Sequence, residues 1–310
     1  MLGGCGGSSS SSSSGPAPLP QVTINSTNAS TVTGAAIGAA TLKPNSLSPL
    51  GVQTSGSQTS DRLLYSVNDF AIKKIAELQN APLSITGTTT QYACPTSGSF
   101  TFNTDGSSAS TSTYATLTFN NCQTSTTSTI NGTFSVTGMA VTATTQAATV
   151  SINITIAITG SATYKYVGGY HLSATGVTTA SRTDALTGTS LVFSVNTTNE
   201  SLSNFSFSSS YANNATPVSF SDTVNYTISS DFTGGSFTLS TISPIVTNYG
   251  QAYPKSGQVV VYGANSTALR ITVVSSDTNA GTASGTVTLE LSTNNGSSWT
   301  LLSTKMWSQL

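Results

Sequence analysis

The sequence predicts an antiparallel all-β fold, either a β-sandwich or a strongly curved meander, with one amphipathic helix packed against it and a disordered N-terminal tail. Runs that alternate apolar and polar residues recur throughout residues 83–310, and this period of two is that of a half-buried strand. Gly, Asn, Asp and Ser separate the runs at the short intervals of antiparallel hairpins. Because the runs do not alternate with helical segments, a parallel α/β fold is excluded.

The clearest strand signal lies at residues 150–159, where aliphatic residues alternate with small or polar ones. Two short segments of the chain also resemble each other, which is a weak sign of an internal repeat. Pro95-Thr96-Ser97-Gly98 and Pro254-Lys255-Ser256-Gly257 each lead into a hairpin pattern. The β domain is therefore expected to span 83–310, and two related halves, 83–180 and 181–310, are one hypothesis for its organisation.

One helix is predicted within residues 57–82. Ser60 suits the N-cap, and Pro82 ends the pattern because proline cannot continue a helix. The apolar residues of this segment form one stripe at helical spacing, namely Leu63, Val67, Phe70, Ala71, Ile75 and Leu78. We expect this stripe to pack on one face or one end of the sheet.

Residues 8–56 consist mostly of Ser, Thr, Ala, Gly, Pro and Asn, with almost no charge. Such a composition buries too little apolar surface to offset the conformational entropy that ordering would cost. The sequence therefore predicts a disordered tether over 8–56.

Composition also excludes several classes of function. The chain has 54 Ser and 55 Thr among 310 residues, whereas charged residues make up 6% and the net charge is -1. Nine basic residues are too few for a nucleic-acid partner, which requires clustered Lys and Arg. A single His and three Cys leave little material for a metal site, and no cofactor is expected. No run approaches the 18 apolar residues of a transmembrane helix.

The first residues carry a recognisable motif. Leu2-Gly3-Gly4-Cys5, followed by a Gly/Ser run, resembles a bacterial lipobox with its tether. The resemblance implies that residues 1–7 are a lipobox remnant with its lipidation site, and that Cys5 becomes the first residue of the mature lipoprotein, carrying palmitate-type acyl chains. Gly6 in the next position implies sorting to the outer membrane. Two or more acyl chains give a stable membrane anchor.

Cys94 and Cys122 are predicted to form a disulfide. Both lie in strand-like segments, and an exported protein folds where thiols oxidise. Two Cys and one His cannot complete a tetrahedral zinc site. A catalytic thiol requires a basic neighbour, and neither cysteine has one nearby in the sequence.

A wider resemblance covers residues 85–310. Phe119-Asn120-Asn121-Cys122, the segment 253–265, the strand 269–273 and the ending from Trp299 to Trp307 resemble proteobacterial lipoproteins to which no activity is assigned. The resemblance implies a cell-surface or periplasmic β-protein.

Few residues are candidates for a site. Tyr164, Tyr166 and Tyr170 form either a platform for sugar rings or part of the core, because their spacing does not identify their face. A Ser–His–Asp arrangement of His171 with Asp184 is a hypothesis without a supporting motif. Carboxylates such as Asp222 and Asp231 more often cap turns than form a glycosidase pair. No catalytic residue is therefore predicted.

The leading functional hypothesis is a lipid-anchored extracytoplasmic protein at the outer membrane or cell surface, with a structural, adhesive or envelope-interaction role and no enzymatic activity. Its partners would be the membrane, through the lipid anchor, and a glycan or another envelope protein. One alternative is a carbohydrate-binding module on a tether. Another is a self-assembling filament subunit, because nearly uncharged strands lack the edge charges that prevent strand addition.

Overall fold

The computed structural model describes residues 19–40, 90–104, 114–141, 144–160, 162–176, 179–212, 219–231, 233–248, 251 and 253–310. Within these ranges the chain forms one α-helix, α1, then fourteen strands and a final 3₁₀ turn, Trp307–Gln309. The elements are α1 (Ala29–Ala40), β1 (Thr90–Ala93), β2 (Ser97–Thr104), β3 (Tyr114–Ser125), β4 (Ser128–Val141), β5 (Thr145–Ile158), β6 (Thr163–Thr175), β7 (Ser181–Val195), β8 (Thr198–Ala212), β9 (Ser219–Ser230), β10 (Gly235–Asn248), β11 (Ser256–Tyr262), β12 (Ala268–Val273), β13 (Thr286–Ser292) and β14 (Thr300–Met306).

All fourteen strands belong to one open antiparallel sheet in which each strand pairs with its neighbours in the sequence. The predicted all-β class is confirmed, and the meander is the form that the described residues adopt. The sheet continues across the boundary at 180/181, since β6 and β7 pair from Thr175↔Thr183 to Tyr164↔Val195. The two hypothetical halves thus share one sheet.

Alternation along the strands gives the sheet two unlike faces. In β5, Val150, Ile152, Ile154 and Ile156 are at most 2% exposed, as the period of two predicts, and Ser151 on the other side is exposed. We call the side of the sheet that carries the β5 aliphatic residues the core face and the opposite side the polar face. Large residues that are nearly inaccessible on the core face include Tyr166, Tyr226, Phe134, Phe205, Phe207, Phe220, Phe237, Leu117 and Leu202.

The predicted disulfide is present. Cys94 follows β1 and Cys122 lies in β3, with their Cα atoms 5.5 Å apart and both side chains buried. β3 has a bulge between Phe119 and Cys122, where Asn121 has a φ of 48°. The register of its pairing with β4 shifts there. The bond therefore links the edge strand of the sheet to the third strand, across the start of β2.

Residues 19–24 are folded, and the predicted tether over 8–56 is wrong for this part of the chain. The segment crosses the ends of β10, β11 and β12. Val22 donates its N–H to the Ser236 carbonyl (2.9 Å) and accepts a hydrogen bond from the Ala264 N–H (2.8 Å). The Ile24 N–H donates to the Thr267 hydroxyl at 3.0 Å, and the Ile24 side chain is 1% exposed.

The helix α1 also lies inside the predicted tether. Asn25 and Asn28 cap its start reciprocally, because the Asn28 side-chain oxygen accepts the Asn25 N–H (2.8 Å) and the Asn25 oxygen accepts the Asn28 N–H (3.1 Å). Val32 and Ala36 are buried, and the Tyr226 hydroxyl of β9 donates to the Ala36 carbonyl. These contacts bury apolar side chains of α1, which the composition of the segment did not predict.

Two glycine substitutions test whether this segment is docked. Gly34→Ala in α1 should raise the free energy of unfolding by about 0.5–1 kcal/mol, since alanine favours helix and its Cβ would lie 3.6 Å from the nearest atom, the Leu310 carbonyl oxygen. Gly263→Ala should lower it by about 1–3 kcal/mol, because the added Cβ would overlap the Val22 carbonyl and lie 2.8 Å from the Ile24 side chain. Urea unfolding of both variants measures the two shifts. A free tether over 8–56 requires both variants to be neutral.

Three of the sequence predictions lie outside the described residues. They are the lipobox of 1–7 with Cys5, the remainder of the tether, and the helix predicted within 57–82. They stay predictions.

Candidate functional site

Hydroxyl and amide side chains line up in rows across the polar face. Strand register places each member of a row beside the next, so that side chains recur about 4.8 Å apart between strands and about 6.8 Å apart along them. One row consists of Thr137, Thr149, His171, Thr187, Ser206 and Asn225. The next consists of Thr116, Ser135, Ser151, Gly169, Ser190, Ser203 and Thr227.

Neighbouring hydroxyls in these rows bond to each other. The Thr116 and Ser135 hydroxyls are 2.7 Å apart, and those of Thr227 and Thr238 are 3.0 Å apart. Each hydroxyl has one proton and two lone pairs, so such a pair keeps hydrogen-bonding capacity for a ligand or water. The polar face therefore presents a regular surface of donors and acceptors.

This surface is almost uncharged. In the described parts of β3–β10, its basic side chains are Lys165 and His171, and no carboxylate lies on it. A ligand that binds here is selected by hydrogen bonding and shape, because the surface exerts little long-range electrostatic attraction.

A shallow groove of about 710 Å³ opens on this face across β5–β8. Its sides include Thr149, His171, Thr187 and Ser206, and the His171 ring nitrogen Nδ1 lies 3.4 Å from the Thr149 hydroxyl. The groove is a depression of the polar face that is lined by described residues.

Glycines and a bulge line the groove. Gly169 stands in a polar-face row between Ser151 and Ser190, where a longer side chain would fill the space. Pairing between β6 and β7 shifts by one residue just beyond it. Gly188 lies at this bulge, and a Cβ there would overlap the Phe205 ring. The absence of a side chain at Gly188 thus leaves room for the Phe205 ring, and its absence at Gly169 leaves the polar-face row open between Ser151 and Ser190.

The three candidate tyrosines belong to the core, and their interpretation as a surface platform is wrong. Tyr164, Tyr166 and Tyr170 are 7%, 1% and 3% exposed. They share the core face because Ile156, Ile154 and Val150 stand opposite them in β5. No sugar ring could stack on them without opening the sheet.

Nor does the fold bring together a catalytic triad. His171 is exposed on the polar face, whereas Asp184 is buried on the core face. The Asp184 carboxylate accepts hydrogen bonds from the Arg182 Nε (2.7 Å) and the Tyr211 hydroxyl (2.6 Å). Burial, and then this bond to Asp184, raise the pKa of Tyr211.

Asp222 and Asp231, the carboxylates considered for a glycosidase pair, are also separated from each other. Asp222 lies early in β9 and Asp231 directly after it, so that nine strand residues place them about 30 Å apart. Glycosidase carboxylates lie within about 10 Å of each other. Burial raises the pKa of Glu200, as does repulsion from Asp231, while a hydrogen bond from the Ser230 hydroxyl (2.8 Å) opposes the change.

No group of three His, Cys, Asp or Glu side chains that could hold a metal ion occurs in the part of the chain that the structure describes. Within the same residues, α1 is the longest helix, and none has the length and apolarity needed to cross a bilayer. No protein-family model, curated protein or solved structure matches this chain. The resemblance to bacterial lipoproteins therefore stays a prediction.

Sequence reasoning missed the groove. Gly168-Gly169 interrupts the strand pattern of β6, and such glycines are a recognised sign of a bulge or a close backbone approach. That signal was present in the sequence. The register shift that brings Gly188 beside Gly169 could not be read from the sequence, because it depends on how β6 and β7 pair.

Proposed function

We propose that the chain is a lipid-anchored extracytoplasmic protein that acts without catalysis and presents its polar face to a polymer or protein of the cell envelope. The observation that carries the proposal is the buried Cys94–Cys122 disulfide, because structural disulfides persist in oxidising compartments. The lipobox-like segment at Cys5 supplies the means of attachment. The uncharged rows of hydroxyls supply a surface suited to adhesive contacts.

Because residues 19–24 are docked on the sheet, fewer residues than the predicted tether of 8–56 separate the folded part from the proposed membrane anchor. Thirteen residues, 6–18, separate Cys5 from the first described residue, Leu19. A chain of that length spans at most about 45 Å when fully extended. The proposal therefore places the folded part near the membrane surface, within reach of molecules that lie just above the lipid.

The filament alternative gains no support from the edge strand β14. Lys305 pairs with Val287, which is buried on the core face, so the lysine side chain leaves the sheet on that face. A charge that points inward from an edge strand is a known device against the addition of another strand. Self-assembly stays a prediction, and a single copy is the form that we propose.

Substitution of the proposed lipidation residue tests the anchor. In the native cell, the wild-type chain should sediment with membranes and incorporate an alkyne-labelled fatty acid. Cys5→Ser should remove the label and shift the chain to the soluble extracytoplasmic fraction, since the proposed acyl chains supply the attachment. Ser9→Ala is the matched control and should behave as wild type. Recovery of unlabelled wild type from the cytosol, or of Cys5→Ser with membranes, would defeat the proposal.

A further inference from the structure

The polar face carries a second feature at its C-terminal end. Arg270 of β12 stands directly opposite Glu290 of β13, and the two side chains form a bidentate ion pair. The Arg270 Nε lies 2.7 Å from Oε2, and its terminal nitrogen lies 2.7 Å from Oε1. The guanidinium also lies over the Trp299 ring, 4.5 Å from the ring centroid. An indole, a guanidinium and a carboxylate are therefore joined in one cluster.

A hydrogen-bonded turn between β13 and β14 fixes the position of Trp299. The Ser292 hydroxyl accepts the Gly296 N–H (2.8 Å), and the Asn294 side chain accepts the Ser298 N–H (2.9 Å). The Asn295 N–H donates to the Ser266 carbonyl (2.6 Å), which ties this turn to the one between β11 and β12. The backbone of the turn that leads into Trp299 is therefore ordered before any ligand binds, which reduces the entropy cost of binding.

Part of the indole remains exposed. Arg270 lies over one ring face, and Gly296 packs beside Cζ2 of the ring, from which an added Cβ would lie 3.2 Å away. Trp299 is partly exposed, as are the side chains of Arg270 (26%) and Glu290 (23%). An aromatic surface and polar atoms thus lie side by side at the protein surface.

The charges of this cluster favour a neutral ligand. Glu290 already compensates Arg270, so neither an anion nor a cation gains an unopposed partner. The guanidinium has five N–H groups and the carboxylate about four acceptor sites, and their mutual pairing leaves several of each for further bonds. Hydroxyl groups both donate and accept, and the C–H face of a pyranose ring matches an indole in shape and polarity.

We infer that Trp299, Arg270 and Glu290 form a binding subsite for a neutral pyranose sugar of an envelope or extracellular polysaccharide. The sugar ring stacks on the exposed part of the Trp299 indole, and its hydroxyls bond to the Arg270–Glu290 pair. This subsite lies outside the groove at Gly169 and does not depend on the lipid anchor, so it can fail or succeed independently of the proposed location.

Tryptophan fluorescence tests the subsite directly. The chain has two tryptophans, so Trp307→Phe leaves Trp299 as the only reporter. Full-length protein is titrated with cellohexaose, mannohexaose and chitohexaose, which distinguish glucan, mannan and N-acetylated glycans. At least one should change the Trp299 emission saturably. Polygalacturonate is the charged comparison and should bind more weakly than the best neutral sugar.

Variants then locate the binding by calorimetry. Trp299→Ala should weaken the affinity about tenfold or more, and Glu290→Gln several-fold. Tyr262→Ala removes another half-buried aromatic side chain of the polar face and should bind as wild type. Unfolding midpoints establish that each variant is folded. If Trp299→Ala does not fold, the fluorescence titration of the Trp307→Phe protein still tests whether sugar binds at Trp299. A Trp299 emission that no sugar changes, or an unchanged affinity in Trp299→Ala, would overturn the inference.

Discussion

Replacement of both Cys94 and Cys122 by alanine should lower the free energy of unfolding by about 3–4 kcal/mol, since the bond closes a loop with a sequence separation of 28 residues. The cross-link stabilises mainly by restricting the unfolded chain. Alanine is the suitable replacement because both positions are buried, where a serine hydroxyl would need a new partner. Urea unfolding of wild type and double variant, in oxidising buffer, measures the difference.

Reduction of the wild type provides the matched comparison, since it breaks the cross-link without removing either sulfur atom. Reductant should lower the wild-type midpoint and leave that of Cys94→Ala/Cys122→Ala unchanged. Because the bond joins β1 to β3 at one edge of the sheet, amide exchange should accelerate first in β1 and β2. A wild-type midpoint that is insensitive to reductant would contradict the assigned role of the bond.

Truncation of Tyr166 to alanine should cost about 3–5 kcal/mol, the usual loss when a large buried aromatic ring is removed. Its side chain is 1% exposed and stands between Ile154 of β5 and Phe193 of β7 on the core face. A surface platform predicts the opposite outcome, in which Tyr166→Ala leaves stability nearly unchanged and abolishes sugar binding. Denaturant unfolding together with the sugar titrations distinguishes the two.

Tyr166→Phe is the control for ring volume, because it keeps the ring and removes the hydroxyl. It should cost less than half as much as Tyr166→Ala. Val167→Ala, at the adjacent polar-face position, should cost little, since that side chain is only partly buried. A loss below about 1 kcal/mol for Tyr166→Ala would show that the ring is not part of the packed core.

Strand periodicity was the most informative part of the sequence. The alternation at 150–159 correctly separates buried Ile152 and Ile154 from exposed Ser151 and Asn153. The disulfide also followed from composition and compartment. Both are local or compositional properties, which is why they can be predicted without knowledge of strand pairing.

The tyrosines show where periodicity alone is insufficient. Spacing places Tyr164 and Tyr166 on one face but does not say which. Lys165 between them carried the missing information, because a lysine is almost never buried without a partner. It is exposed, so its two neighbours lie on the core face.

The N-terminal segment and the groove depended on tertiary contacts. Residues 19–40 have the composition of a tether. Ile24, Val32 and Ala36 are nevertheless buried, in a segment that contacts residues more than 180 positions away in the sequence. Asn25 and Asn28 were a local helix signal within that composition. The register shift beside Gly169 arises from pairing and has no counterpart in the sequence of one strand alone.

Export is the central claim, and the state of the thiols in the native cell tests it most directly. Cells are quenched in acid, free thiols are alkylated, and the protein from each fraction is analysed by mass spectrometry. We expect it in the envelope fraction, with Cys94 and Cys122 joined to each other and Cys5 carrying acyl chains. Recovery from the cytosol with all three cysteines alkylated would contradict the account.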